Sequence, residues 1–335
     1  MNGFVDLDVT LRLPGAPDDE APAALARRAR DGGVDVVVVG VDGAAPVDGV
    51  GLASAAAMLR AASPTLLLIP AVQPLVGGQL ADLGSLRWHA AIGSTIRPVW
   101  RLLAPVDDAL LLRRVGELAR AHDAVVIVPS MDGGLAAGGI AIEGPIATRL
   151  GIPAMPEAAE AIGVGRLVEV ARLTGARFHV VGVFTAAGAR LIEQAAGLVT
   201  GSVRAPHLLL DETALLASRY DTAVLRSPPL PTSASRAVLV DAVRRGVLMV
   251  GSGHTFVPRR ERDLELNRAT PGGTSLSSTA RLLRPLLGND VLTAAWRDAP
   301  RRLLGLPPVT TSIPADGVVE DDLSALVAML PGAHP

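Results

Sequence analysis

The chain has 335 residues, a net charge of −2, a hydrophobic fraction of 49% and only 19% charged residues, with neither cysteine nor lysine. That length holds one large core or two small ones. The near-neutral charge argues against nucleic acid or an anionic membrane as partner, and no apolar run reaches the ~18 residues of a membrane span. Without cysteine there are no disulfides or thiolate ligands. Without lysine there is no Schiff base, lysine base or phosphate-loop lysine.

The start, Met1-Asn-Gly-Phe-Val5, runs directly into an apolar stretch with no signal-peptide pattern, so a cytoplasmic protein is expected. Strands are predicted over Phe4–Leu11, Val34–Val41, Thr65–Pro70, Trp88–Ile92, Ala124–Val128, Arg177–Val183, Gly197–Val203 and Val247–Gly251. Helices are predicted between many of them, over Glu20–Arg30, Asp107–Ala121, Pro156–Leu173, Ala186–Ala196 and Ser235–Arg245. The strands are continuously apolar, as in a parallel sheet covered on its outer face. Their alternation with helices reads as βα units. Eight such units at this length fit a single α/β (β/α)8 TIM barrel, placed over residues 1–306. Residues 307–335 read as an irregular C-terminal tail with a short helix near Asp321–Met329. Gly163-Val-Gly165 starts no nucleotide-binding unit, and Gly251-Ser-Gly-His254 lacks the nucleophile elbow of a serine hydrolase.

Residues 3–15 read Gly-Phe-Val-Asp-Leu-Asp-Val-Thr-Leu-Arg-Leu-Pro-Gly. This resembles the first barrel strand of dihydroorotases and their amidohydrolase relatives, Gly-Phe-Val-Asp-x-His-x-His-x-Arg-x-Pro-Gly. Further stretches resemble the family in order: Asp132 to Pro153, Ala171 to Thr185, Pro206 to Leu215, Ser227 to Pro231, Val250 to Thr255 and Trp296 to Leu306. The resemblance implies an amidohydrolase-type barrel. Its small composite β domain is expected to be absent or vestigial, with a faint echo at Ser312 to Asp321.

The resemblance also shows where the family's metal ligands would stand. The paired first-strand histidines are replaced by Asp8 and Thr10, and the fifth- and sixth-strand histidines by Pro129 and Gly182. Gly253 replaces the eighth-strand aspartate, which binds metal and carries the proton. No acid lies near Trp100–Leu103, where the bridging group belongs. Two imidazoles two apart on a strand grip one zinc ion, and zinc supplies the hydroxide such hydrolases need. Its loss predicts no metal, no cofactor, no catalytic residue and no enzyme. A hard cation shared by Asp6 and Asp8 is not expected. Arg12 and His254 are retained from the family's ligand-binding set and are the remaining candidates for holding a ligand. Trp100, Phe184 and Phe256 are expected to fill the emptied cavity, since voids destabilise a packed interior.

The resemblance includes non-catalytic members that assemble with aspartate transcarbamoylase. The function expected is therefore a structural subunit for that enzyme's catalytic chain in pyrimidine biosynthesis, as a homo-oligomer within a larger complex. The alternatives are a cyclic amide hydrolase with a rebuilt, metal-free site and a barrel that binds a small ligand.

Overall fold

The computed structural model of the chain describes residues 2–12, 20–129, 131–218, 220–309 and 319–330. Pro14 and Gly15 of the first motif, the faint echo over 312–318, and His334 lie outside the described residues. Two long valine- and leucine-rich strands, β1 (Phe4–Arg12) and β2 (Val34–Asp42), are almost wholly buried. Shorter strands follow: β3 (Leu67–Pro70), β4 (Val99–Arg101), β5 (Val125–Val128), β6 (Arg177–Val181), β7 (Val199–Arg204), β8 (Met249–Gly251) and β9 (His254–Thr255). All pair in parallel, in the orders β9-β1-β2-β3 and β8-β7-β6-β5-β4. Burial on both faces is what a parallel sheet between a filled interior and a helical coat requires.

The expected closed ring of eight strands is therefore found as two parallel sheets. At one seam a lone parallel bridge joins Val72 to Trp100. Pro70 ends β3 and Pro98 precedes β4, and a proline brings no N–H to a ladder. At the other seam the Ser252 N–H donates to the Asp6 carboxylate (3.0 Å) rather than to a strand carbonyl. The register of β1 also shifts between Asp6 and Val9.

Helices coat the strands: α1 (Pro22–Asp31), α2 (Gly49–Ala62), α3 (Ala109–Ala121), α4 (Ala158–Thr174), α5 (Ala186–Gln194), α6 (Ser233–Arg244) and α7 (Thr279–Leu287). Their starts have chemical causes. Asp108 accepts from the Leu110 and Leu111 N–H groups, and Thr185 from the Gly188 N–H, each satisfying donors that a helix leaves open. Trp88–Ile92, expected as a strand, is helical. Its two buried residues, Trp88 and Ile92, are four apart and share a helical face, the Trp88 indole donates to the Ile96 carbonyl, and Gly93 at φ +69° ends the turn. The fourth strand is β4, three residues long.

A last helix, α8 (Asp322–Met329), buries Leu323, Leu326 and Val327. Its N-cap, Asp321, accepts from the Ser277 hydroxyl and from both the N–H and the hydroxyl of Ser278. Asp322 accepts from the N–H and hydroxyl of Thr274. Among the described residues no helix is long and apolar enough to cross a membrane. A cavity of about 790 Å3 opens where β6, β7 and β8 begin. The C-terminal ends of the strands, where α/β barrels place their chemistry, carry a smaller one.

Candidate functional site

Alternation along β4 sorts two large neighbours. Trp100 packs toward His122, just beyond the end of α3, with ring centroids 5.7 Å apart. Arg101 therefore projects to the opposite side, into the interior. Gly40 on β2 makes the space: a Cβ there would lie 2.8 Å from both Cδ and Nε of Arg101. Arg101 Nη2 donates to Asp8 Oδ1 (2.8 Å), and Nη1 to the Val9 carbonyl (3.1 Å). Arg204, the last residue of β7, comes from the far side. Its Nε donates to Asp8 Oδ2 (2.6 Å), its Nη2 to Asp8 Oδ1 (3.2 Å), and its Nη1 to the Ser227 carbonyl. Asp8 is thus a buried carboxylate between two guanidiniums. Burial alone would raise its pKa, but Arg204 and Arg101 outweigh it and hold Asp8 at about 2. Asp6 lies beside it, accepting from the Asp8 and Ser252 N–H groups. Burial raises its pKa.

The positions of the family's ligands converge on this cluster. Thr10, Pro129 and Gly253 line a cavity of about 330 Å3 together with Asp42, Arg204 and Arg226. Gly182 and Gly253 both adopt left-handed backbone, φ +73° and +68°. A Cβ on Gly182 would sit 3.1 Å from Arg204 Nε, and one on Gly253 would sit 2.7 Å from Arg204 Cδ. Arg204 thus occupies the space in which side chains at both positions would begin. The donor set does not fit the zinc that the family resemblance implies. Both Asp8 oxygens are held by guanidinium, the Thr10 hydroxyl faces Arg101 (3.4 Å), and proline and glycine offer no side-chain donor. Among the described residues no group of three or more histidine, aspartate or glutamate side chains is placed to hold a metal ion.

The expectation that aromatic residues fill the cavity is overturned. Phe184 is buried against Ile142 and Met155, Trp100 faces outward, and Phe256 is only half-buried. The filling groups are charged, and they are held by the carboxylate left at position 8. Arg226 completes the wall. It is 5% exposed, and its Nη1 donates to the Ala223, Leu225 and Gly272 carbonyls (2.7, 2.8 and 2.9 Å). Burial lowers its pKa to about 10, so it stays charged at neutral pH.

The two retained candidates are engaged elsewhere. Arg12 Nη1 donates to both oxygens of Glu261 (2.8 and 2.9 Å), and its Nε lies 3.9 Å from Asp42. His254 is fully buried. Its Nδ1 accepts from the Ser275 and Leu276 N–H groups, so its Nε2 carries the hydrogen and donates to Glu20 (2.9 Å). Glu20 also accepts from Arg28 (2.7 Å). Burial would raise the Glu20 carboxyl, but His254 and Arg28 outweigh it and lower its pKa. His179 is buried between the Thr200 and Ser202 hydroxyls, and burial lowers its pKa to about 4. Sequence reasoning missed Arg101, Arg204, Arg226 and Glu20. The available signals were an arginine in the segment searched for an acid, and glycine at two former ligand positions.

No protein-family model matches the chain. It is 32% identical over 321 residues to the dihydroorotase of Anaeromyxobacter dehalogenans strain 2CP-1, covering 92% of this chain and 73% of that protein. It is 32% identical over 322 residues to the dihydroorotase of Syntrophobacter fumaroxidans, covering 91% and 71%. Among solved structures it superimposes on the D-hydantoinase (dihydropyrimidinase) of Thermus sp. with a TM-score of 0.73 at 21% identity, over 94% of this chain and 74% of that one. It also matches the Saccharomyces cerevisiae dihydroorotase in complex with 5-fluoroorotic acid, with a TM-score of 0.66 at 12% identity, over 91% and 85%. These likenesses show an α/β fold of the hydantoinase and dihydroorotase barrel type. The expectation that the chain is no enzyme is overturned by the sequence relatives, which are enzymes by name and match about nine-tenths of it. That expectation equated lost ligands with lost chemistry, whereas the emptied positions surround an ordered, charged cluster. On this identity and coverage, the chain belongs to the dihydroorotase family of the amidohydrolase superfamily.

Proposed function

We propose that this chain is a cyclic amide hydrolase of pyrimidine metabolism with a rebuilt, metal-free site at the C-terminal ends of its strands. The observation that carries the reading is the cavity of about 330 Å3, lined by former ligand positions, by the buried guanidiniums of Arg101 and Arg226 and by the half-buried Arg204. Opening a cyclic amide adds the oxygen of water to the carbonyl carbon and a proton to the ring nitrogen, leaving a ureido acid. Charge builds on the carbonyl oxygen in between, and fixed cations in a dry site stabilise such charge strongly. Arg101 and Arg204 are fixed by Asp8 and need no reorganisation as that charge develops. Asp8 itself, held at about 2, is a poor base near neutral pH. Among the described residues Asp42 is the carboxylate that lines the cavity, exposed and 3.9 Å from Arg12. It is assigned the proton transfer.

The test is turnover of dihydroorotate, and of its ring-opened acid in reverse, by the full-length chain in the presence of a chelator. The expected result is activity that survives chelation and falls by about 10²-fold or more in Asp42→Asn. Activity that disappears with the chelator would overturn the metal-free reading. No turnover in either direction by folded protein would overturn the hydrolase reading.

Association with an aspartate transcarbamoylase catalytic chain, homo-oligomerisation and a cytoplasmic location are proposed as well, on the family resemblance alone. Co-elution of the two purified chains on gel filtration tests the association, and separate elution at micromolar concentration argues against it.

A further inference from the structure

The cavity wall holds more fixed cations than fixed anions. Arg101 and Arg204 share Asp8. At the rim Arg12 lies between Glu261 and Asp42, and Glu261 also meets Arg260. Arg226 has no such close partner, since Asp322 and Asp321 act on it only from beyond ion-pair distance. Among the described residues no carboxylate lies within ion-pair distance of it, and its hydrogen bonds run from Nη1 alone to three carbonyls. Those three bonds hold Nη1, and among the described residues Nε and Nη2 have no hydrogen-bond acceptor. Gly273 backs it, where a Cβ would come within 3.2 Å of Nη2. One of the neighbouring cations is also unsatisfied: Arg101 Nε is buried with no acceptor. An unpaired buried cation is costly, and arginine cannot shed its charge near neutral pH. The remedy is an anion brought in from outside, and a planar fork of N–H donors suits an oxyanion with more than one oxygen.

We propose that Arg226, with Arg204 beside it, forms an anion subsite on the cavity wall, apart from Arg12, and that it takes a doubly charged oxyanion group: a phosphate or a pair of neighbouring carboxylates. This rests on reading the cavity as the ligand site, but not on turnover there. Arg204 keeps its grip on Asp8, and Arg226 supplies the free N–H edge.

Calorimetric titration of the full-length chain with inorganic phosphate, succinate and acetate tests it. The expected result is that phosphate or succinate binds about tenfold or more tightly than acetate. Which of the two binds better identifies the source of the charge. Arg226→Gln should lose that margin, and Arg226→Lys should keep part of it, because the charge remains while the fork is lost. If Arg226→Gln does not fold, stabilisation of the wild-type chain against heat by the dianions but not by acetate gives an independent reading. Equal binding of the three anions overturns the proposal, as does a margin unchanged in Arg226→Gln. A preference for dianions without turnover would refute the hydrolase reading and leave the subsite standing. Turnover with no anion preference would do the reverse.

Discussion

Replacing Asp8 by asparagine removes the single charge that two guanidiniums share. An amide accepts through one oxygen only, turns two N–H donors toward the guanidiniums and neutralises neither arginine. Arg101 is 4% exposed and Asp8 1%, so water cannot take over. Breaking a buried ion pair by deleting one partner costs about 3–5 kcal/mol. At ~2.1 cal/mol/K of unfolding entropy per residue, the 335-residue chain gains about 0.7 kcal/mol/K on unfolding, so the midpoint should fall by about 4–7 °C. Arg204→Gln should cost less, about 1–3 kcal/mol, because Arg101 still holds Asp8. In the double variant the losses should fall short of additivity by about 1 kcal/mol or more, since both changes break the same contacts. Denaturant unfolding followed by circular dichroism measures all three. The pH dependence has a definite sign. Asp8 is depressed in the folded state, so its stabilisation is present above the ordinary value of 3.8 and is lost as pH falls toward about 2. The gap between wild type and Asp8→Asn should narrow across that window. A variant within about 1 kcal/mol of wild type at neutral pH would refute the account of the cluster as an integral support.

Burial pushes the Glu160 carboxyl up to about 8, against hydrogen bonds from Thr185 and Phe184 that favour its ionised form. Its contribution is then present below the ordinary value of 4.5 and is lost as pH rises through about 8. Stability of the wild type relative to Glu160→Gln should therefore fall from about pH 5 to about pH 9, and parallel stability curves would contradict this. Restoring the family's aspartate by Gly253→Asp should destabilise by about 2 kcal/mol or more and bring no zinc, because the new side chain meets Arg204 and the backbone is left-handed. Adding Arg204→Ala should recover part of that loss. Dialysis against a chelator should shift the unfolding midpoint by less than about 1 °C, and a drop of several degrees would reveal a bound metal. Arg12→Met should cost less than about 1 kcal/mol by thermal unfolding, because its ion pair with Glu261 is partly exposed.

Much of the fold could be read from the chain because it rests on composition over long spans. Val34–Asp42 and Phe4–Arg12 are apolar enough to be buried strands wherever they occur, and the helix following Asp108 announces its own cap. The fourth strand was missed because three residues after a proline carry little pattern, while Trp88 and Ile92 nearby supplied a false apolar run. The former ligand positions could be located from the motif, but what replaced them could not. Arg101, Arg204 and Asp8 come from three strands, and only folding shows that one carboxylate serves two guanidiniums. Glycine at positions 182 and 253 reads in sequence as a deletion of function. In three dimensions it is clearance for Arg204.

The attachment of α8 has a consequence for the order in which the molecule is made. Asp321 and Asp322 bind residues 274–278, and the same segment supplies the N–H groups that hold His254 in place beside β1. Residues up to 322 must therefore have been made before this corner can set. Until then β1 can pair with β2 but lacks β9 at Val9 and Thr10, its partner on the other side. A nascent chain stalled ahead of residue 321 is therefore expected to keep this corner open, and with it the apolar face that α8 covers.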